Sequence, residues 1–309
     1  MSFSVRILGS SSALPTSERS SPAHLLNANE HFFLIDCGEG TQIQLRKFRI
    51  RFGKINHVFI SHLHGDHVFG LFGFISSLNL MGRERPLHIY GPDLLEDLLL
   101  DHLKYFQSEL GFDVLVHKIN ASRSAAIFQD DRMTVRTIPL KHRIPACGFL
   151  FREKPGEYNI LKDKVLQYNI PISDIIRIKK GEDYFDKDGT RIPNEQLTIP
   201  PFRQRSYAYC SDTAYDDAII SHIQGVDMLF HETTFSAEDE KLAESTTHTT
   251  SIQAAEIARK AGVKKLLIGH FSTRYKDVKL LEEEARKIFP DTFAVNDGEV
   301  YEVKQERTE

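Results

Sequence analysis

Three histidines and one aspartate fall within six consecutive residues of this 309-residue chain, in the order His-x-His-x-Asp-His. They are His62, His64, Asp66 and His67. Imidazole nitrogens and carboxylate oxygens are ligands of Zn²⁺, and side chains this polar are buried together only when a cation holds them. A solvated histidine-rich loop is the alternative, but the motif directly follows an apolar run. We therefore predict a metal site here, with zinc as the metal.

Three further residues of ligand type occur farther along the chain. His142, Asp212 and His270 each come just after a segment that is typical of a β-strand. Each one alone is more typical of a capping or hydrogen-bonded polar residue, but the three share one structural context. Side chains at the ends of separate strands can meet at one edge of a fold. Seven ligands suit two four- or five-coordinate metals if one carboxylate bridges them and solvent completes the coordination.

The elements that must position these ligands are predicted from hydrophobic periodicity. In the first half, the predicted strands are Val5–Leu8, Phe32–Cys37, His57–Ser61, Leu87–Tyr90 and Val135–Pro139, and the predicted helices are Gly70–Met81 and Pro92–Leu110. In the second half, the strands Ser206–Cys210, Met228–Glu232 and Lys265–Gly269 alternate with the helices Tyr215–Ile223, Ser251–Ala261 and Asp277–Ile288, before a closing strand pair in Thr292–Val303. This order favours an α/β fold of two sheets packed face to face with helices outside, a four-layer αβ/βα sandwich.

One stretch, residues 153–205, does not follow this pattern. It contains several prolines and glycines, many charges and little periodicity, which is typical of an insertion. We therefore predict a single domain over residues 1–309, from which residues 153–205 protrude as an arm. The arm is mildly basic, and its cluster of Arg177, Lys179 and Lys180 is suited to contact a phosphate backbone without reading sequence. An ordinary charged surface is an equal alternative.

Composition indicates the class of protein. A formal net charge of −4, with 41% hydrophobic and 27% charged residues, is typical of a globular protein, and any RNA-binding surface must be local. No apolar stretch is long enough to span a bilayer, and residues 1–15 lack the apolar segment of a signal peptide. The sparse, odd set of Cys37, Cys147 and Cys210 favours reduced, buried thiols and a cytoplasmic location.

The order of the ligands resembles that of the metallo-β-lactamase superfamily, and further motifs narrow the resemblance to the ribonuclease Z family, whose members trim the 3′ trailer from precursor tRNA. The similar segments are Gly9–Thr16, Asp36–Thr41, His231–Phe235, His248–Thr250 and His270–Tyr275. In His231–Phe235, a threonine replaces the alanine of the family's HEAT loop. The resemblance covers nearly the whole chain, and the ordered set of motifs is far more selective than the first motif alone.

The resemblance implies two zinc ions and a homodimer. One zinc would be held by His62, His64 and His142, and the other by Asp66, His67 and His270, with Asp212 bridging the two. Two such cations can activate a bridging water and offset charge on the phosphoryl oxygens. In a dimer of this family, the arm of one subunit holds the tRNA that the other subunit cleaves.

The resemblance also assigns residues to the reaction. Asp66 would orient or deprotonate the water. His248, if protonated, would donate to the leaving 3′ oxygen, and Glu232 would orient His248. Arg274 would contact a phosphate. For His248, Glu232 and Arg274, an ordinary loop or surface role is the alternative.

The arm of the family clamps the elbow of the tRNA, and the 153–205 stretch occupies the corresponding place. Lys154 begins a Lys-Pro-Gly segment that resembles the start of that arm. The tip of the family's arm is commonly rich in Gly-Pro, whereas Asn169–Asp174 contains no Gly-Pro pair. This departure concerns how tRNA docks and not the ligand set.

Three functions are weighed for such a ligand set. The first is an endoribonuclease that removes the 3′ trailer from precursor tRNA and leaves a 3′-hydroxyl. The second is a small-molecule hydrolase of the same fold, such as a thioesterase, lactonase or general phosphodiesterase, which shares the first ligand motif. The third is a binding protein with an inactive site, which would lack ligands, and none is missing. The segments at His231 and His248 and the arm favour the first.

Overall fold

The computed structural model describes residues 2–106 and 109–307. The strands are β1 Phe3–Gly9, β2 Ala23–Ala28, β3 His31–Ile35, β4 Ile55–Phe59, β5 Leu87–Pro92, β6 Val114–Ile119, β7 Ala126–Gln129, β8 Met133–Leu140, β9 Ala146–Glu153, β10 Asn159–Ile160, β11 Tyr184–Phe185, β12 Arg191–Ile192, β13 Thr198–Ile199, β14 Ser206–Cys210, β15 Met228–Glu232, β16 Leu266–Gly269, β17 Thr292–Ala294 and β18 Val300–Glu302. The helices are α1 Thr41–Lys47, α2 Gly65–Leu80, α3 Leu95–Tyr105, α4 Lys162–Gln167, α5 Ile172–Lys179, α6 Asn194–Leu197, α7 Ile220–Ile223, α8 Glu240–Thr246, α9 Ser251–Ala261 and α10 Lys279–Ile288.

Two seven-stranded mixed sheets form the centre of the molecule. The first has the strand order β18-β1-β2-β3-β4-β5-β6, and the second has the order β17-β16-β15-β14-β9-β8-β7. Aromatic side chains fill the space between them: Phe33 and Phe59 of the first sheet pack against Phe149 and Phe151 of the second. Strands of this kind are apolar on both faces because each sheet is covered on both sides.

Helices cover the outer face of each sheet. The helix α2 packs Val68, Leu71 and Phe74 against the first sheet, whereas α9 and α10 pack Ala255 and Leu281 against the second. The layers therefore run helix, sheet, sheet, helix, and the predicted four-layer αβ/βα sandwich is confirmed.

The directions of the strands bring the candidate ligands to one edge of the sandwich. The strands β3 to β6 are parallel in the first sheet, and β14 to β17 are parallel in the second. Because β8 is antiparallel to β9, and β9 to β14, β8 ends at the same edge as β14. The loops after β4, β8, β14 and β16 carry His62, His142, Asp212 and His270, as the sequence predicted.

Three predicted helices are shorter in the structure, and the one predicted over Asp277–Ile288 begins at Lys279. The helix predicted over Pro92–Leu110 extends over Leu95–Tyr105, because Pro92 is the last residue of β5. Its predicted positions 107 and 108 lie outside the described residues. Of Tyr215–Ile223, only the last turn is α-helical, after a 3₁₀ turn that the side chain of Asp216 caps.

The predicted closing strand pair in Thr292–Val303 is wrong. The strand β17 pairs with β16 and β18 pairs with β1, so the two belong to different sheets. The turn between them crosses from one sheet to the other, and Gly298 in this turn has a φ of 95° and donates its N–H to the carbonyl of Ile7 at 2.7 Å. Periodicity along the chain shows that strands exist but not which strands pair.

Between β9 and β14 the chain forms a small unit with its own core. It contains α4, α5 and α6 and two small sheets, β10 with β13 and β11 with β12. Its buried apolar residues are Ile170, Ile178, Tyr184, Ile192 and Leu197. At the base of the unit, the buried guanidinium of Arg205 pairs with Glu153 at 2.8 Å, so the two ends are tied together. Periodicity was weak here because no helix exceeds the eight residues of α5.

The cysteines and helices agree with a globular protein. Cys37, Cys147 and Cys210 are buried and unpaired, as predicted. In residues 2–106 and 109–307, no helix combines the length and the apolar character that crossing a bilayer requires.

Candidate dinuclear metal centre

The first ligand motif spans the end of a strand and the start of a helix. After β4, His62 and His64 lie in a short loop, whereas Asp66 and His67 lie in the first turn of α2, which begins at Gly65. The helix that the sequence predicted over Gly70–Met81 thus begins earlier, at Gly65, and ends at Leu80. This helix fixes the spacing of Asp66 and His67 and buries His67 completely.

Gly65 is the first residue of α2. A side chain here would place its Cβ 2.3 Å from the ring of Phe69, which lies across the Cα atom of Gly65. The glycine lets the ring of Phe69 lie close to the backbone, and a larger residue here would require this ring to move. Phe69 itself remains 62% exposed beside the ligands.

Four of the candidate ligands converge in a first group. Donor atoms of His62, His64, His142 and Asp212 all lie within 4.8 Å of one another. Nδ1 of His64 is 3.1 Å from Nε2 of His62 and 3.2 Å from Nε2 of His142. His142 donates from Nδ1 to the carbonyl of Thr247 at 3.0 Å, which leaves its Nε2 free to bind a metal.

A second group adjoins the first through Asp212. Donor atoms of Asp66, His67 and His270 lie within 4.8 Å of one another. Oδ1 of Asp212 is 3.3 Å from Nε2 of His67 and 3.2 Å from Nε2 of His270, while Oδ2 is 3.6 Å from Nε2 of His62. One carboxylate thus faces both groups, which is the position of a ligand that bridges two metals.

Two buried nitrogens of the second group make no hydrogen bond to the described residues. These are Nε2 of His67 and Nε2 of His270, which approach Asp212 without the geometry of a hydrogen bond. A buried polar atom without a partner costs free energy, so such atoms indicate a missing ligand. Imidazole and carboxylate donors are the set that zinc takes in proteins. The residues present therefore fit divalent cations.

Charge around these histidines supports the same conclusion. Burial, together with neighbouring His67, holds the pKa of His62 well below its usual value, which keeps that imidazole neutral. Burial alone would also lower the pKa of His67, but the carboxylates of Asp212, Asp66 and Asp36 raise it well above its usual value. The second group therefore carries an excess of negative charge, which a divalent cation compensates.

Asp36, for which the sequence predicted no role, positions His67. It is fully buried, and Oδ2 accepts from Nδ1 of His67 at 2.8 Å and from the hydroxyl of Tyr209 at 2.7 Å. It also accepts from the backbone and the hydroxyl of Ser61, and that hydroxyl lies 2.9 Å from Nδ1 of His62. A carboxylate that binds the second nitrogen of a ligand fixes its tautomer and orientation. The available signal was an acid directly after an apolar strand.

Glu232 and His248 form a buried charged pair at the end of β15. Oε1 of Glu232 lies 3.0 Å from Nδ1 of His248 and accepts from the N–H of Thr249 at 2.9 Å, while Oε2 accepts from the N–H and hydroxyl of Thr234. Burial would raise the pKa of Glu232, but His248 lowers it. Burial would lower the pKa of His248, but Glu232 raises it. The pair therefore favours an ionised carboxylate beside a protonated imidazole.

His248 also lies close to the candidate ligands. One of its ring nitrogens falls within 4.8 Å of donor atoms of Asp212 and His270, and its ring centroid is 5.3 Å from that of His142. It precedes α9, which Thr250 caps. Both a proton-transfer role and a ligand role are geometrically open to His248, and its bond to Glu232 favours the first.

A cleft of about 540 Å³ opens over the two groups. Ala13, on the loop after β1, lines this cleft and donates its N–H to Oδ2 of Asp66 at 3.0 Å. Arg143 also lines it, and sequence reasoning missed this residue although it directly follows a predicted ligand. Arg274 lies beside the cleft, with its guanidinium 5.3 Å from the ring centroid of Phe235, which lines the wall.

The arm residues that the sequence predicted to contact RNA do not lie among the candidate ligands. Arg177 and Lys179 each pair with a glutamate of the arm at 2.7 Å. Lys180 is exposed, and Lys154 is half-buried at the base of the arm. The structure thus separates the arm residues from the candidate ligands.

Comparison with known proteins gives close relatives over nearly the whole chain. Ribonuclease Z of Bacteroides fragilis is 47% identical over 296 residues, which cover 96% of this chain and 97% of that protein. Ribonuclease Z of Bacteroides thetaiotaomicron is 48% identical over 290 residues, which cover 94% and 92%. The crystal structure of the short form of human tRNase Z has a TM-score of 0.71 and 25% identity, and the match covers 96% of this chain and 98% of that one.

A family model described as anti-Pycsar protein Apyc1 matches residues 3–159. This half contains the first ligand motif and His142, but Asp212, Glu232, His248 and His270 lie beyond it. The ribonuclease Z relatives, by contrast, match 94% or more of the chain at 47–48% identity. The chain therefore belongs to the ribonuclease Z family and, through its amino-terminal half, to the family that the Apyc1 model describes.

Proposed function

We propose that this protein is a metal-dependent endoribonuclease that hydrolyses a phosphodiester bond to remove the 3′ trailer from precursor tRNA, leaving a 3′-hydroxyl on the tRNA. The observation that carries this proposal is the junction of two ligand groups at Asp212, beside the pair of Glu232 and His248. Two adjoining cation sites and a protonated imidazole are the parts that this hydrolysis needs. The relatives named ribonuclease Z indicate the class of substrate.

Two zinc ions per chain are part of the proposal. The first would be held by His62, His64 and His142 and the second by Asp66, His67 and His270, with Asp212 shared between them. When bound, such a pair of cations activates water and offsets the negative charge of the phosphoryl oxygens. The donor set of imidazole and carboxylate groups supports zinc as the metal.

Asp66 is proposed to orient the attacking water. Its Oδ2 accepts from the N–H of Ala13 at 3.0 Å, which holds this oxygen in place. The other oxygen is then left to accept a hydrogen bond from the water. Asp66 must be ionised to act in this way. Burial would raise the pKa of Asp66, but the neighbouring His67 keeps it low.

His248 is proposed to protonate the leaving 3′ oxygen. Its Nδ1 is engaged by Glu232, so Nε2 is the nitrogen that presents a proton to the cleft, which His248 lines. A ribose 3′ oxygen leaves slowly as an alkoxide, and a positioned acid removes that barrier. Glu232 supports the reaction by stabilising the protonated form of His248.

The arm, residues 153–205, is proposed to bind the body of the tRNA. It has a core of its own and lies apart from the ligands, so it can bind RNA without disturbing them. Because Arg177 and Lys179 are paired with glutamates, Lys180 is the stronger candidate among the predicted phosphate contacts. The homodimer implied by the resemblance and a cytoplasmic location complete the proposal, and the three unpaired cysteines favour a reducing compartment.

A small-molecule hydrolase is the second candidate. The match of residues 3–159 to the Apyc1 model favours it, because that half contains the first ligand motif without Glu232 and His248. A cleft of about 540 Å³ is also large enough for a small substrate. The two functions differ in whether surfaces outside the cleft contribute to substrate binding.

The deciding experiment incubates the purified protein with a precursor tRNA and maps the new RNA ends. We expect one new 3′-hydroxyl end at the junction of tRNA and trailer. Asp212→Ala is the control, because it removes the shared ligand and should abolish the product. A protein that leaves precursor tRNA intact but hydrolyses small phosphodiesters would support the second candidate.

A further inference from the structure

Arg143 stands at the boundary between the catalytic cleft and a second groove. It directly follows His142 and lines the cleft. The residues after it, Ile144 and Pro145, line a separate groove of about 810 Å³, as does Leu63, which lies between the first two ligands of the motif. The two concavities are thus separated by one loop and one arginine, so a chain that leaves the cleft on this side passes Arg143.

The guanidinium of Arg143 is anchored but not neutralised. Its Nε donates to the carbonyl of Thr246 at 3.3 Å. Across the described parts of the chain, no carboxylate lies within 4 Å of it, whereas Arg274 pairs with Asp239 at 3.1 Å. The side chain is exposed, which leaves both Nη groups available. An arginine in this state offers a planar fork that fits two oxygens of one phosphate.

The direction of the reaction suggests which phosphate this is. In hydrolysis at phosphorus, the attacking water and the leaving 3′ oxygen lie roughly in line on opposite sides of the phosphorus. The 5′ oxygen of the first trailer nucleotide stays bonded to the phosphorus. The trailer therefore extends from the phosphorus at an angle to that line. Leu63 and Ile144, which line the second groove, are the chain neighbours of His64 and Arg143, which line the cleft, so the two concavities adjoin beside the first ligand group.

We propose that Arg143 binds the phosphate that joins the first and second nucleotides of the trailer, one phosphate beyond the scissile bond, and that the trailer then enters the second groove. This inference rests on the proposed function. Arg143 acts in binding and contributes no proton or bond to the reaction. A precursor with a one-nucleotide trailer ending in a 3′-hydroxyl has no such phosphate, which gives the proposal a direct test.

The experiment compares precursor tRNAs with trailers of one nucleotide and of three nucleotides. For the longer trailer, Arg143→Ala should lower kcat/KM by about 10- to 100-fold, the range of hydrogen bonds to a charged group. For the one-nucleotide trailer it should change little. Arg143→Lys should retain part of the effect, since it keeps the charge without the fork. The ratio of kcat/KM for the two trailers is measured on one protein preparation. A loss of metal that affects both substrates equally therefore does not change this ratio.

A neutral methylphosphonate at the same linkage provides the complementary test. In the wild-type protein it should reproduce the loss, and combined with Arg143→Ala it should cause no further loss. In Arg143→Ala, the slope of log KM against log salt concentration should also fall by about 0.7, because one phosphate contact is lost. Arg51→Ala is the matched control, because this exposed arginine precedes β4 at the end opposite the ligands.

Equal losses for both trailer lengths, or no loss for either, would overturn the assignment of Arg143 to the trailer. Additive losses from the methylphosphonate and the substitution would do the same. If the wild-type protein cuts neither precursor, the proposed endoribonuclease function fails instead. The failure of the inference and the failure of the function are therefore distinguishable.

Discussion

Nδ1 of His248 lies 3.0 Å from Oε1 of Glu232, a carboxylate that is fully buried at the end of β15. Four N–H and hydroxyl groups of Thr213, Thr234 and Thr249 also donate to this carboxylate, which fixes its orientation. The pair therefore combines a fixed negative charge with an imidazole that keeps its proton more readily than usual. The pH dependence of catalysis should report on this relationship.

Glu232→Gln should move the alkaline limb of the pH profile to lower pH. Glu232 raises the pKa of His248 against the effect of burial, so the acid form persists to higher pH in the wild type and is lost as pH rises through that pKa. Without the carboxylate, the pKa falls and the loss begins earlier. Single-turnover rates on precursor tRNA across the pH range measure the limb. An unmoved limb would show that another group controls it.

His248→Ala should retain both metals and lose roughly 10²–10⁴-fold in rate on precursor tRNA, the usual contribution of a positioned acid. The loss should be much smaller for bis(p-nitrophenyl) phosphate, because p-nitrophenolate leaves without a proton. Metal analysis and the two rates together test the role. Loss of zinc would instead make His248 a ligand or a support of the site, which its distance from Asp212 and His270 also permits. Equal losses on both substrates would contradict proton donation.

Two zinc ions should bind per chain after reconstitution, as measured by elemental analysis. Asp212→Ala should lower both the metal content and the activity, because one carboxylate faces both ligand groups. Treatment of the wild type with a chelator should abolish activity, and added zinc should restore it. A maximum of one tightly bound metal per chain would contradict the dinuclear site.

Asp36→Asn should weaken zinc binding by about 10- to 100-fold, the usual effect of removing a carboxylate that supports a histidine ligand. The reason is the 2.8 Å hydrogen bond from Nδ1 of His67 to Asp36, which Asn can accept only without the negative charge. Competition with a chromogenic chelator measures the affinity. Asp130→Asn is the control, since Asp130 faces His31 away from the site. Equal affinities in both variants would refute this role.

Replacing residues 155–203 by a short Gly-Ser loop should preserve the metals and weaken tRNA processing. The pair of Glu153 and Arg205 remains to close the ends, and the candidate ligands are untouched. Hydrolysis of bis(p-nitrophenyl) phosphate should stay within a few-fold of wild type, while KM for precursor tRNA rises. Unchanged processing of precursor tRNA in the deletion would exclude a docking role for the arm.

Much of this site could be predicted from the sequence because the first ligand motif, His142, Asp212 and His270 each come just after the end of an apolar strand. The strands Ser206–Cys210 and Met228–Glu232 have the predicted bounds, and the edge to which β14 and β16 deliver Asp212 and His270 follows from parallel strands. Asp212 lies near both ligand groups, which its proposed bridging role requires, and that role stays a prediction. Periodicity and residue type were sufficient because the ligands are local to their strands.

Other features depended on contacts between distant parts of the chain. The bond from His67 to Asp36 joins the first turn of α2 to the residue after β3, and the anchor of Arg143 on Thr246 joins segments about one hundred residues apart. Neither contact has a signature in local sequence. The separation of β17 and β18 into different sheets was missed for the same reason, since strand pairing is decided by the whole fold.

The two ends of the chain meet at the site. The N–H of Ser12 donates to the carbonyl of Phe271, Ser10 donates to Asp297, and β18 pairs with β1. The loop that holds Asp66 through Ala13 thus gains its support from Phe271 and Asp297, far along the sequence. Because a chain folds as it is synthesised from its amino terminus, a nascent copy carries the first ligand motif long before it can aim Asp66. A nascent chain that has not yet reached Phe271 and Asp297 therefore lacks these supports, and we expect it to be inactive.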